Sequence, residues 1–218
     1  SSLFPIVHTL EQRKYIMCDA GSGKYRLGLR TYIIGASCTS QSGFEPLINI
    51  MNSVTESTQE TSQFGILEGG NVLYVAKKDS PQAIRMISWV GTKLPANATA
   101  IGKALLSDLT DEQIRDLYRD GLPKLTEHTI SDIDLLLGQI EQIRCGEIAT
   151  ETEESTPQMR CFAVPIRQNG RVDAALSISV PIFRYTDEKR VQICQCLREA
   201  QQQIEQLVGL YNFELIKP

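Results

Sequence analysis

The chain has few residues of the kinds that most often carry catalysis or metal binding. Histidine occurs only as His8 and His128, and neither lies near a recognisable nucleophile motif. Six cysteines are scattered without a CxxC pair, which excludes the usual zinc and disulfide scaffolds. No apolar run reaches the ~18 residues of a membrane span, and no signal segment begins at Ser1. We therefore expect a cytoplasmic protein with reduced thiols and without a metal or a membrane contact.

Size and charge narrow the possible functions further. With 218 residues, of which 42% are apolar, the chain can bury one substantial core. Its net charge of −4 is uneven, because residues 1–30 carry +3 and the remaining residues carry −7. Since phosphate contacts need clustered lysine and arginine, only the N-terminal segment suits DNA.

Apolar spacing and turn residues predict an α+β fold. Helices are predicted over residues 2–12, 29–40, 44–58, 102–106, 111–118, 132–145 and 187–211. Strands are predicted on both sides of a turn at residues 19–23, and then over 63–68, 72–77, 83–88, 160–167 and 172–180. Helices on both sides of such a series of strands are typical of an antiparallel sheet flanked by helices.

The segment LPANATAIGKALL, from Leu94 to Leu106, is the most informative part of the chain. It places a glycine turn, which we expect to be exposed, at the start of an amphipathic helix, whose first N–H groups lack intrahelical acceptors and attract anions. A Walker loop is excluded because Asn97 and Ala104 stand where that loop needs Gly and Ser or Thr. The segment predicts a pocket for a small acid rather than for a nucleotide.

Strand alternation indicates which side chains could share that pocket. Ser177 and Ser179 lie on one face of their strand, as do Met159 and Cys161 on the neighbouring strand. The four line one pocket only if odd-numbered residues pair with odd-numbered ones. A three-residue loop at 168–170 predicts that pairing, whereas a two-residue turn would reverse one face and exclude the shared pocket.

Five motifs occur in a characteristic order: YRLGLR at Tyr25–Arg30, LPANATAIGKALL at Leu94–Leu106, ATETEE at Ala149–Glu154, MRCFAVPI at Met159–Ile166 and AALSIS at Ala174–Ser179. Together they resemble the IclR family of bacterial transcriptional regulators. The resemblance implies a partial winged helix-turn-helix over residues 1–27, which retains a recognition-like helix and a wing. It also implies a linker helix over 28–43 and a GAF-like effector-binding domain over 44–218.

The same resemblance implies a ligand-sensing regulator that binds a small organic acid and forms a homodimer or a dimer of dimers. DNA binding is implied through the full-length winged helix, of which the first two helices are missing here. The implied effector-binding residues are Met86, Leu94, Thr99, Ala100, Ile101, Glu151, Met159, Cys161, Ser177 and Ser179. No catalytic residue, cofactor or metal is implied.

Three positions leave the ligand open. Asn97 stands where the family commonly has His, and Gln158 stands where it often has Gly. Both changes bear on the mouth of the pocket. Glu151 could accept a hydrogen bond from a ligand hydroxyl or repel a second carboxylate, and the sequence leaves both possibilities open.

The alternative function is that of a GAF-like thiol enzyme with Cys161 as its nucleophile. A reactive thiol needs a lowered pKa, and Arg160, its neighbour in sequence, points to the opposite face of the strand. An unreactive thiol in the pocket is therefore expected, and the sequence favours a regulator over an enzyme.

Overall fold

The computed structural model describes residues 3–41 and 44–211. The predicted domain ranges also include residues 1–2, 42–43 and 212–218, which lie outside the described residues. The chain divides into two compact units, Ser1–Pro46 and Leu47–Pro218. Within the two described ranges, no helix is long and apolar enough to cross a membrane.

The N-terminal unit consists of two helices separated by a short strand pair. Its elements are α1 (Leu3–Gln12), β1 (Ile16–Cys18), β2 (Tyr25–Leu27) and α2 (Leu29–Gln41). The two strands pair antiparallel around the predicted turn, where the Asp19 carboxylate accepts a hydrogen bond of 2.8 Å from the Ser22 N–H. Gly28 of the YRLGLR motif follows, and a Cβ there would lie 2.2 Å from the carbonyl oxygen of Lys14. The motif therefore needs glycine at this position.

The rest of the chain forms a six-stranded sheet with helices. Its elements are α3 (Phe44–Thr58), β3 (Thr61–Glu68), β4 (Asn71–Lys78), β5 (Lys93–Pro95), α4 (Ala100–Leu106), α5 (Asp111–Leu117), α6 (Ile133–Arg144), β6 (Ala149–Thr152), β7 (Met159–Gln168), β8 (Arg171–Pro181) and α7 (Asp187–Tyr211). The strand order is β5-β4-β3-β8-β7-β6, and every neighbouring pair is antiparallel. The predicted α+β class is confirmed.

Helices cover both faces of this sheet. Helix α4 packs on β7 and β8 and also contacts α6, and the core there includes Ala163 and Ala175. On the opposite face, where Phe162 and Ile178 are buried, α7 packs on the same two strands. Burying each large apolar side chain contributes about 1.5–3 kcal/mol, so the sheet is held between two apolar layers.

The strand predicted at residues 83–88 is wrong. The segment is irregular, and β5 takes the place beside β4, with Asn71 opposite Pro95. Side chains hold the segment instead of a strand ladder: Gln63 Nε2 donates to the Ser88 hydroxyl, and Lys77 Nζ donates to the Ser88 carbonyl oxygen. Side-chain contacts of this kind replace the ladder hydrogen bonds at Ser88.

The loop predicted between β7 and β8 is also wrong, although the pairing expected from it is present. The turn has two residues, Asn169 and Gly170, both with positive φ (52° and 80°). A bulge then leaves Asp173 unpaired, because Ile166 is opposite Ala174 while Arg167 is opposite Val172. The extra residue shifts the register by one and returns odd-numbered residues to odd-numbered partners.

Candidate functional site

The predicted glycine turn is a buried helix start rather than an exposed turn. Thr99 is the N-cap of α4, and its hydroxyl accepts a hydrogen bond of 3.0 Å from the Gly102 N–H. Gly102 itself is buried against the short 3-10 turn Ala96–Ala98. Because of helix geometry, the N–H groups of Ala100 and Ile101 have no intrahelical acceptor. The segment thus presents two main-chain donors beside the sheet.

A small cavity lies between this helix start and the sheet. Its volume is about 10 Å³, which is room for one water molecule. Seven of the predicted effector-binding residues line it: Met86, Thr99, Ala100, Ile101, Cys161, Ser177 and Ser179. Three further residues that the sequence analysis missed also line it: Gln63, Tyr74 and Ser155. Gln63 lies in the polar start of β3, before the apolar residues that begin at Phe64, so no local pattern marked it.

Polar side chains around the cavity form a connected network. Cys161 lies directly opposite Ser179 in the ladder, and its thiol donates to the Ser179 hydroxyl over 3.3 Å. Ser179 in turn donates to Gln63 Oε1 over 3.1 Å, and Gln63 Nε2 donates to Ser88 Oγ over 2.7 Å. These groups are buried, so their hydrogen bonds hold one another in place.

The other three predicted residues lie outside the cavity. Leu94 pairs with Val72 in the β4–β5 ladder and packs against the core. Glu151 lies opposite Cys161 in the β6–β7 ladder, and its carboxylate accepts hydrogen bonds from the Glu154 N–H and the Ser155 hydroxyl at 2.8 and 3.2 Å. Glu151 therefore positions Ser155, which does line the cavity.

Met159 lines a neighbouring surface pocket of about 330 Å³. That pocket is mostly apolar and also contains Ile84, Pro157 and Phe183. Met86 lines both this pocket and the small cavity, and its side chain is buried. A movement of Met86 would therefore connect the polar cavity with the larger apolar pocket.

Cys161 does not have the properties of a nucleophile. Burial, together with the neighbouring Glu151 carboxyl, holds the pKa of its thiol well above the ordinary value. A raised pKa favours the protonated thiol, which is unreactive. Neither His8 nor His128 lines the cavity.

A model of the C-terminal region of the bacterial transcriptional regulator IclR matches residues 44–206. The chain belongs to the IclR family. The predicted family is therefore confirmed, and the curated relatives that it matches are transcriptional regulators.

Individual relatives and solved structures are also similar to this chain. It is 29% identical over 216 residues to the HTH-type transcriptional regulator KdgR of Dickeya chrysanthemi, covering 98% of this chain and 71% of that protein. The crystal structure of the C-terminal domain of E. coli KdgR matches with a TM-score of 0.69 and 28% identity, covering 78% of this chain and 99% of that one. An IclR homologue from Microbacterium hydrocarbonoxydans, crystallised with 4-hydroxybenzoate, has the same fold, with a TM-score of 0.79, 23% identity, and coverage of 95% and 85%.

The two departures from the IclR pattern do not line the cavity. The Asn97 side chain donates to the carbonyl oxygens of Pro123 and Ile130 at 3.0 and 3.5 Å, and so holds a connecting segment. Gln158 lines the outer apolar pocket and adopts a left-handed φ of 62°, a conformation that glycine adopts more readily.

An ion pair that the sequence analysis missed lies beside the cavity of this IclR-family chain. Lys103 is completely buried, and its Nζ lies 2.5 Å from Glu154 Oε1 and 3.3 Å from the carbonyl oxygen of Thr150. The Thr129 hydroxyl donates to the Glu154 carbonyl oxygen over 2.6 Å. The lysine after Gly102 thus attaches α4 both to β6, which carries Glu151, and to the turn after β6, which carries Ser155.

Replacing Glu151 by glutamine is expected to change how stability depends on pH. Burial raises the pKa of Glu151 above its ordinary value of 4.5 and outweighs the hydrogen bonds that lower it. The folded protein therefore binds this proton more tightly than the unfolded chain, so Glu151 contributes stability at low pH that is lost as the pH rises above 4.5. The free energy of unfolding of Glu151→Gln, relative to the wild type, should rise with pH above this value and then level off.

Urea unfolding at a series of pH values measures this difference. Glu127→Gln, at a residue whose side chain is 88% exposed, is the matched control and should show no comparable trend. A difference between Glu151→Gln and wild type that stays constant from pH 4 to pH 8 would contradict the raised pKa.

Proposed function

We propose that the C-terminal unit binds a small organic acid and that this binding changes how the regulator binds DNA. The observation that carries the proposal is the buried polar network of Gln63, Cys161 and Ser179 at the start of α4. A carboxylate can leave water only where several donors replace its hydration. The hydroxyls of Ser177 and Ser179, together with the main-chain N–H groups of α4, offer such donors without an arginine.

The volumes support an effector that opens its own site. A cavity of about 10 Å³ holds no organic acid, whereas the adjacent pocket of about 330 Å³ has the size of a small-molecule site. We infer that the acid group enters the polar cavity, while the apolar part of the effector displaces Met86 and extends towards Met159. The homologue crystallised with 4-hydroxybenzoate, an aromatic acid, supports this class of ligand.

The coupling to DNA follows from thermodynamics. An effector changes the equilibrium between two conformations of the regulator only if it binds one of them more tightly than the other. We propose that residues 1–27 belong to a winged helix-turn-helix and that residues 28–43 link it to the effector-binding domain 44–218. This assignment puts DNA binding within residues 1–30, the segment whose net charge is +3, and puts the regulator in the cytoplasm, where bacterial DNA lies.

We also propose that the protein forms a homodimer or a dimer of dimers, as a reader of two DNA half-sites requires. Large apolar side chains of α2 support this assembly, because Leu29, Tyr32 and Ile34 are 67%, 75% and 55% exposed.

Thermal unfolding against a panel of keto, sugar and aromatic acids tests the effector proposal. An acid at one hundred times its Kd should stabilise the protein by about 2.7 kcal/mol. Ser177→Ala and Thr99→Val should each weaken binding about tenfold, since the first removes the hydroxyl of a residue that lines the cavity and the second removes the N-cap hydroxyl that fixes the start of α4.

The control is Ser53→Ala, the same change at an exposed serine of α3, which should bind the acid as the wild type does. The proposal fails if none of the acids stabilises the wild type. It also fails if Ser53→Ala reduces binding as much as Ser177→Ala does.

A further inference from the structure

A second cavity, lined by arginines, lies apart from the effector cavity. It has a volume of about 540 Å³ and is bounded by the end of α6, by β6 and β7, and by α7. Arg160, Arg190 and Arg198 line it, and Glu147 is its one acidic residue. It shares no lining residue with the effector cavity. The lining therefore carries an excess of positive charge on a concave surface.

The arginines come from two elements that the fold brings together. Arg190 and Arg198 are eight residues apart on α7, with Cys194 midway between them, so the three lie along one side of the helix. Arg160 comes from β7, on the strand face opposite Cys161. The charge cluster is thus a product of the tertiary structure and not of a basic run in the sequence.

These arginines lack the acidic partners that other arginines of the unit have. Arg115, Arg144 and Arg184 each form an ion pair of 2.5–2.8 Å with a carboxylate. Within residues 3–41 and 44–211, no carboxylate oxygen lies within 4.0 Å of a side-chain nitrogen of any of the three cavity arginines. Their charges are therefore available to an anion.

Arg160 is held in position by aromatic rings rather than by hydrogen bonds. Its guanidinium carbon lies 4.4 Å from the centre of the Tyr185 ring and 5.6 Å from that of Phe162. Its Nε is buried and has no hydrogen-bond partner among the described residues, which is uncommon for a buried donor. Stacking fixes the guanidinium plane and leaves its edge to bind an oxyanion.

The other two arginines differ in their contacts and in their exposure. Arg198 donates to the carbonyl oxygen of Gly146, and a second nitrogen lies 3.4 Å from Gln201 Oε1, so its side chain is anchored. Arg190 is exposed. The cavity thus combines two fixed guanidinium groups with one that can close on a ligand.

We propose that this cavity binds a small polyanion, namely an organic molecule with at least two phosphate or carboxylate groups. Guanidinium groups bind the oxygens of either group in pairs, and three of them match a ligand with two or more negative charges. The volume lies within the range of small-molecule sites. The site is independent of the effector cavity and would give the regulator a second chemical input.

Isothermal titration calorimetry of the full chain with pyrophosphate and with citrate tests the proposal, and acetate serves as the monoanion. The wild type should bind at least one of the two polyanions at one site per chain, and far more tightly than acetate. Arg190→Gln and Arg198→Gln should each weaken that binding about tenfold or more, because each removes a charge-assisted contact. Arg119→Gln, at a side chain that is 76% exposed and outside the cavity, should bind as the wild type does.

The pattern of binding identifies the ligand class. Binding of pyrophosphate alone supports a phosphorylated ligand, binding of citrate alone supports a polycarboxylate, and binding of both supports recognition by charge. The proposal is overturned if neither polyanion binds the wild type, if Arg119→Gln weakens binding as much as Arg190→Gln does, or if Ser177→Ala abolishes binding. Because Arg190 is exposed, its variant should fold, and circular dichroism verifies this.

Discussion

Replacing Gly102 by alanine is expected to lower the free energy of unfolding by at least about 3 kcal/mol. A Cβ at this position would lie 2.2 Å from the carbonyl oxygen of Ala96 and 2.3 Å from its Cα. Both are backbone atoms of the buried turn Ala96–Ala98, so no side chain can move aside to relieve the contact. The start of α4 would have to shift, and the acid-dependent stabilisation should be lost along with stability. Urea unfolding measures the first effect, and the acid panel measures the second.

Gly138→Ala is the matched control for Gly102→Ala. Gly138 lies within α6, is exposed, and has no heavy atom within 4 Å of the position that a Cβ would take. Alanine is the better helix former, so this variant should gain about 0.5–1 kcal/mol. If the two variants had equal stability, the close packing of Gly102 on Ala96 would be contradicted.

Replacing Lys103 by methionine is expected to cost about 3–5 kcal/mol of stability. The Lys103 ammonium is completely buried, and its partner Glu154 is only 8% exposed at the side chain. Removal of the ammonium leaves the Glu154 carboxylate buried without its counter-charge, and its Oε2 already has no hydrogen-bond partner among the described residues. Thermal and urea unfolding of the purified variant measure the loss.

The double variant Lys103→Met with Glu154→Gln separates the pair from the packing around it. Because it removes both charges, it should recover most of the stability lost in Lys103→Met. The matched control is Lys93→Met, since Lys93 forms an exposed pair with Glu68 at 2.9 Å and should lose less than about 1 kcal/mol. A double variant no more stable than Lys103→Met would show that the lysine acts through its packing and not through its charge.

The long amphipathic helices were the easiest elements to predict. The bounds of α3 and α7 agree with those predicted, because the 3.6-residue apolar spacing extends over 15 and 25 residues. Short elements at the sheet edges were not predicted well. The four residues of β6 and the three of β5 are too few to establish a period, and their ladder partners alone make them strands.

The β7–β8 register shows how a correct pairing can follow from an incorrect loop. Alternation correctly placed Cys161 and Ser179 on one face, since this property belongs to each strand separately. The length of the loop between β7 and β8 could be deduced from this pairing only if the strands contained no bulge. Nothing in the local sequence marks Asp173 as the residue that leaves the ladder. The turn and the bulge each shift the register by one residue, and the two shifts cancel.

The residues of the candidate site also fall into those that the sequence could identify and those that it could not. Thr99, Cys161 and Ser179 could be named from a motif and from strand faces, which are properties of short segments. Gln63 and Ser155 could not, because Gln63 comes from a distant strand and Ser155 from an irregular turn whose path the sequence does not predict.

By itself, the sequence determined the family, the α+β class, the long helices and the strand faces that carry hydroxyl groups. Motifs and side-chain alternation are properties of short segments, so they can be identified without knowledge of the fold. Only the tertiary structure decided that the cavity at the start of α4 has room for about one water molecule, that Lys103 pairs with Glu154, and that three arginines line one cavity. Each of these depends on sub-ångström packing or on residues from separate elements, which ladder register and helix packing bring together.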